Sequence, residues 1–357
     1  MTTLKKLIGQ LCIFGFDGTN VPEWIRRVIS EWNLGGVILF KRNIVSKEQL
    51  IELIRELKSL ATEIPLFISV DHEGGRVFRL PPPFTQIPTA RQIGQNYVGA
   101  GFPRPDVVQS SPRPTLEKSR LHDIVGGETP PLQVGSLMGR ELREVGFNLN
   151  FVPVLDVDTN PNNPIIGDRS YGSDPQLVSK VALDIIQGLR SEKVIPCGKH
   201  FPGHGDTSRD SHLELPVVDQ PLSRLEEVEL IPFRAAIQDK LEMLMTAHVL
   251  YPQIDPDYPA TLSQKILTGL LREKLGYDGV VISDDFLMKA ISDRYGIGEA
   301  ARLFLEAGGD IPLICRDEGE QEKMLEYLEK AVREGGLLKM NLEQSVNRVM
   351  FLKQRFI

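Results

Sequence analysis

Residues 175–200 read PQLVSKVALDIIQGLRSEKVIPCGKH. Pro175–Leu189 is an amphipathic segment of helical period, and Val194–His200 is a short apolar run that reads as a strand ending on Lys199 and His200. The same alternation recurs along the chain. Further strands are expected at Gly9–Phe16, Gly36–Phe40, Leu66–Asp71, Phe147–Val154, Met243–His248, Gly279–Asp284 and Asp310–Cys315. Helices are expected at Glu48–Leu60, Leu132–Val145, Leu222–Gln238 and Leu262–Leu275. Continuous apolar strands separated by helices imply a parallel sheet covered on both faces. About eight such units predict a single (β/α)₈ TIM barrel, with a doubly wound open sheet as the alternative.

Asp71, His200, His248 and Asp284 all fall at or just beyond the C-terminal ends of expected strands. In a barrel those ends converge on one mouth, where active sites are built. Five of the six histidines (His72, His200, His204, His212 and His248) lie at such ends or in the loops after them. One stretch breaks the pattern. Residues 97–131, after the third strand, are rich in Pro, Gly and Ser and have no sustained period. Lacking an apolar face that could close over a site, they are expected to be a flexible, disordered insertion rather than a lid.

The chain has 357 residues, 41% of them hydrophobic, and a net charge of -7, which argues against a general nucleic-acid binder. Cys12, Cys197 and Cys315 show no paired spacing and read as small buried hydrophobes of a reducing compartment. Lys5 and Lys6 precede the apolar run LIGQLCIFGF, but no small-residue cleavage site comes after it. That run is read as the first strand. No stretch approaches the ~20 apolar residues of a membrane span. A cytoplasmic protein is expected.

Four segments can carry chemistry. In VDHEGGRVFRL, Val70–Leu80, Asp71 at a strand end can accept hydrogen bonds from paired sugar hydroxyls while Arg79 donates to the same ligand. A turn with solvated charges is the plainer reading. In TNPNNPIIGDRSYG, Thr159–Gly172, a defined loop can point Arg169 into the mouth, although such an arginine is more often a surface ion-pair partner. In KHFPGHGDTSRDSH, Lys199–His212, Asp210 and His212 are two apart and can share one face of an extended loop. A carboxylate beside an imidazole fixes its tautomer and raises its basicity, as acid/base dyads require. The His/Asp spacing there matches no common metal motif, so no metal and no cofactor is expected. In GVVISDDFLMKAI, Gly279–Ile291, a buried strand delivers Asp284 and Asp285, one able to attack an anomeric carbon and the other to cap the next helix.

Together these motifs resemble the bacterial β-N-acetylglucosaminidases of glycoside hydrolase family 3 that consist of a single barrel. The resemblance covers nearly the whole chain, 1–357 being one catalytic barrel, except about 97–131. It implies Asp284 as nucleophile, His212 as acid/base and Asp210 as the residue orienting it. It implies Asp71, Arg79, Arg169, Lys199 and His200 as sugar contacts. The implied reaction is retaining hydrolysis of β-linked N-acetylglucosamine through a covalent glycosyl-aspartate, with a muropeptide fragment as substrate and a monomeric enzyme. A neutral imidazole repels anions less than a carboxylate does, so phosphate is a competing acceptor on this reading. His72, Phe78 and Leu287 depart from the family pattern, and Pro312 sits awkwardly in the last expected strand. A family 3 enzyme for another sugar, a metal-dependent hydrolase and a non-catalytic sugar binder are the competing readings.

Overall fold

Eight parallel strands close into a barrel in the computed structural model, which describes residues 4–99, 129–211, 213–337 and 339–357. In chain order the strands are β1 (Ile13–Gly15), β2 (Gly36–Leu39), β3 (Phe67–Val70), β4 (Leu149–Asn150), β5 (Ile195–Phe201) and β6 (Met243–Thr246). A two-stranded antiparallel excursion, β7 (Leu250–Tyr251) and β8 (Asp255–Pro259), precedes β9 (Val280–Asp285) and β10 (Ile311–Ile314). Barrel neighbours follow chain order, and β10 pairs with β1 to close the ring. The expected TIM barrel is therefore the fold, and the open sheet is excluded.

Helices sheathe it: α1 (Leu4–Gln10), α2 (Glu23–Trp32), α3 (Lys47–Leu60), α4 (Ala90–Gly99), α5 (Pro131–Val145) and α6 (Pro175–Ser191) in the first half. The second half adds α7 (Leu222–Glu227), α8 (Leu230–Gln238), α9 (Lys289–Ser292), α10 (Ile297–Ala307), α11 (Glu318–Arg333) and α12 (Lys339–Phe356). α3 shows why these segments are helical. The Ser46 hydroxyl caps it by accepting from Gln49 N–H, and Leu50, Leu53, Ile54 and Leu57 bury one stripe at helical spacing.

Four sequence expectations need correction. The run 7–16 is not one strand: its first part ends α1, a tight turn comes next, and only Ile13–Gly15 is extended. Phe147–Val154 pairs regularly only at Leu149–Asn150, because Pro153 offers no N–H. Pairing with β5 resumes at Val154. Leu222–Gln238 is two helices, and Lys265–Lys274 is a π-helical segment rather than an α-helix. Pro312 does lie in β10, where a register shift between Ile311 and Leu313 absorbs its missing donor. The insertion expected at 97–131 lies almost wholly outside the described residues.

The N-terminal face of the barrel is closed by buried ion pairs and hydrogen bonds. Fully buried Asp310 accepts from Arg272 and Arg348, and the buried Lys353 ammonium donates to Gln10 and to the Gly35 carbonyl. Cys12, Cys197 and Cys315 are free and buried, as expected. Among the described residues, no helix is long and apolar enough to cross a membrane.

Candidate active site

The opposite face carries the polar residues. A cavity of about 170 Å³ is lined by Asp71, Arg79, Arg169, Lys199, His200 and Asp284, together with Glu73 and His204. Six of the eight residues singled out from the sequence thus meet in one place. Asp210 is described but does not line the cavity, and its carbonyl accepts from Leu213 and Glu214 N–H at 2.9 and 3.0 Å. His212 lies outside the described residues.

The cationic side of the cavity is organised by a carboxylate that no sequence motif singled out. Buried Glu73 accepts from Arg169 Nε at 2.9 Å and Arg169 Nη2 at 2.8 Å, a bidentate pair. It also lies 2.6 Å from Lys199 Nζ, which is the same distance from Asp71. Burial alone would push the Glu73 carboxyl up, but Arg169 and Lys199 outweigh it and hold the group well below the usual range. Burial works against the Lys199 ammonium too, and Asp71 and Glu73 raise its pKa above the ordinary value. Both ions are therefore charged at neutral pH.

His200 continues this network. Its Nδ1 is 2.7 Å from Asp156, and its Nε2 is 3.4 Å from Arg169 Nη2. A guanidinium only donates, so we assign the ring proton to Nδ1, donated to Asp156, which leaves the Nε2 lone pair on the other side. Fully buried Asp156 also accepts from the backbone N–H of His200 and, at 2.6 Å, of His204. Asp156 is the second residue missed from sequence. A lone carboxylate inside the apolar run FVPVLDV, just past β4, was the signal that could have found it.

The loop after β5 is held from within. His204 Nδ1 meets Thr207 Oγ1 at 2.8 Å and its Nε2 meets Ser211 Oγ at 3.2 Å, while Asn163 donates to the His204 and Gly205 carbonyls. A Cβ at Gly205 would stand 1.7 Å from the Val157 carbonyl oxygen, so only glycine fits there. His204 accordingly shapes the loop, and Asp206 does so by accepting from Gln220 Nε2 at 3.1 Å. Among the described residues, no group of three His, Cys, Asp or Glu is arranged to hold a metal ion.

Across the cavity, the two aspartates of β9 part company. Asp285 turns to backbone, accepting from Leu287 N–H at 3.1 Å and Cys315 N–H at 3.2 Å. Asp284 lines the cavity, with Asp285 N–H donating to its Oδ1 at 2.8 Å. Burial raises the Asp284 pKa, but that N–H and the charge of Lys199 help bring it below the ordinary value. It is an ionised carboxylate facing the cavity. Arg79 contributes a buried Nε without a hydrogen-bond partner among the described residues. An unsatisfied donor on the wall of a cavity is suited to a ligand oxygen.

A model of the glycosyl hydrolase family 3 N terminal domain matches residues 3–100 and 128–352. The chain belongs to glycosyl hydrolase family 3. The match passes over 101–127, inside the expected insertion. The β-hexosaminidase of Neisseria meningitidis serogroup C is 41% identical over 282 residues, 79% of this chain and 71% of that protein. That of Nitrosomonas eutropha is 36% identical over 345 residues, 95% and 92% of the two chains. Among solved structures, a family 3 β-N-acetylglucosaminidase from a Paenibacillus species matches with a TM-score of 0.88 at 40% identity. The match covers 99% of this chain and 63% of that one, so this chain spans less than two thirds of that protein's length.

The family 3 site makes stability depend on pH through two neutral histidines. Burial, helped by Arg79, pushes His72 down to about 3, and burial pushes His204 down to about 4. In the unfolded chain both protonate near 6.5. Between about pH 6.5 and pH 4 the unfolded state therefore binds more protons, and stability falls as the pH falls. Thermal melting should show Tm declining through this window, and His72→Gln should flatten the decline. A Tm that holds level from about pH 7 to pH 4 would contradict the assignment.

Proposed function

We propose that this family 3 barrel is a retaining β-N-acetylhexosaminidase that releases terminal β-linked N-acetylglucosamine. The observation that carries the reading is one cavity in which a fixed cationic network faces the ionised Asp284. In this reading Asp71, Arg79, Arg169, Lys199 and His200 bind the sugar. Asp71 and Lys199 suit adjacent hydroxyls, and Arg79 has a donor to give. Asp284 attacks the anomeric carbon as the glycosidic C–O bond breaks, forming a covalent glycosyl-aspartate. His212, oriented by Asp210, protonates the leaving oxygen and then removes a proton from the attacking water. That dyad rests on the resemblance of the DSH motif, on a loop anchored through His204 and Ser211. The names of the relatives support the sugar. A muropeptide aglycone, a monomeric state, a cytoplasmic location and a single catalytic unit with an insertion after β3 belong to the same proposal.

The test is turnover of 4-nitrophenyl β-N-acetylglucosaminide beside the matching β-glucoside. The first should be hydrolysed with initial release of the β-anomer, seen by NMR, and the second at least about 10²-fold more slowly. His212→Ala should lower turnover of the first by at least about 10²-fold. Release of the α-anomer, or equal rates on the two sugars, would overturn the reading.

A further inference from the structure

His248 is buried, two residues beyond β6, and has no part in the mechanism above. Its ring bridges two elements. Nε2 lies 3.1 Å from the Asp285 carbonyl oxygen and Nδ1 lies 2.8 Å from Thr261 Oγ1. A carbonyl only accepts, so Nε2 carries the proton. In the neutral ring Nδ1 is then the acceptor, and the Thr261 hydroxyl donates to it. Thr246 Oγ1 stands 3.0 Å from Thr261 Oγ1 and can donate in turn. Thr261 Oγ1 also lies 2.9 Å from the Ala247 carbonyl oxygen, so its one hydroxyl proton is shared between that acceptor and His248 Nδ1.

Asp285 is gripped at its carboxylate by two backbone N–H groups and at its carbonyl by His248 and, at 3.0 Å, by Met288 N–H. The residue so fixed supplies the N–H that meets Asp284 Oδ1. The β7–β8 excursion explains how the support arises. After leaving β6 at Thr246 the chain makes this hairpin and returns Thr261 against His248, next to the strand pair β6–β9.

We propose that His248, locked by Thr261, is a positioning residue that sets the orientation of Asp284 through the backbone of Asp285. The inference rests on Asp284 being the nucleophile. A group acting this way leaves sugar binding alone and changes the chemical step, because a misplacement of about 1 Å costs on the order of 10²-fold in rate.

Two substitutions separate positioning from packing. In His248→Gln the amide NH₂ reaches the place of Nε2 and can still donate to the Asp285 carbonyl. In His248→Asn the shorter amide reaches only the place of Nδ1. With 4-nitrophenyl β-N-acetylglucosaminide, kcat should fall about 10²-fold for His248→Asn, return to within about 10-fold of wild type for His248→Gln, and leave KM unchanged in both. Thr261→Val, which removes the hydroxyl at constant shape, should lower kcat by about 10-fold at unchanged KM, and serves as the reading if His248→Asn does not fold. Equal kcat for Asn and Gln, a loss carried by KM, or a Thr261→Val enzyme at wild-type rate overturns the positioning role. Full turnover by Asp284→Asn would instead overturn the nucleophile assignment, so the two failures are distinguishable.

Discussion

Asp284→Asn is expected to lower kcat on 4-nitrophenyl β-N-acetylglucosaminide by at least about 10⁴-fold while leaving the melting curve nearly unchanged. The amide has the shape of the carboxylate and keeps an oxygen for Asp285 N–H, so the local backbone has no reason to move. What it lacks is the charge and the free electron pair that form the bond to the anomeric carbon. Asp285→Ala should do the reverse to stability. It strands the Leu287 and Cys315 N–H groups, at a cost of about 1–3 kcal/mol for each one left unsatisfied. Activity would then fall through disorder at the end of β9 rather than through lost chemistry. The decisive check is rescue. In Asp284→Gly, added azide should restore turnover and yield the α-glycosyl azide, because a small anion occupies the place of the missing carboxylate. Substantial residual activity in Asp284→Asn, with no azide product from the glycine variant, would remove Asp284 from the mechanism.

The adjacent aspartates also show what the sequence could and could not disclose. One of the pair was expected to cap the next helix, but α9 starts after Met288 without a side-chain cap, and Asp285 holds the Leu287 and Cys315 N–H groups instead. The barrel itself was legible. Strands buried on both faces leave continuous apolar runs, and Asp71, Lys199, His200 and Asp284 sit where such a run stops. Reading failed where an apolar run was not a strand. In LIGQLCIFGF the end of a helix and the start of β1 are both buried, and no periodicity in so short a run separates them. It failed again where a polar residue does its work by touching another side chain. Glu73 stands between the conspicuous Asp71 and the glycines, and only the folded barrel brings Arg169, 96 positions on, against it. Asp156 and His200 are joined across β4 and β5 in the same way, as are Thr261 and His248.

Glu73 carries the other large expected effect. Glu73→Gln should lower kcat/KM by about 10²- to 10³-fold and destabilise the fold by about 3 kcal/mol. The glutamine keeps the volume but has one acceptor oxygen where the carboxylate offers two. Its NH₂ group must then face Arg169 or Lys199, both of which only donate. Two buried cations lose the charge that holds them in place. Arg169 in turn loosens against His200, whose tautomer depends on that contact. An exposed pair of the same loop sets the scale for comparison. Arg76 and Asp168 lie 3.0 Å apart with side chains 48% and 45% exposed, so Asp168→Asn should cost no more than about 1 kcal/mol. Denaturant unfolding and steady-state kinetics of the two variants decide the matter. Should Glu73→Gln match Asp168→Asn in both measurements, the buried network does not organise the site. A large loss for Glu73→Gln alone means that the cations of the cavity are placed by this one carboxylate, and that the sugar meets a surface already set before it arrives.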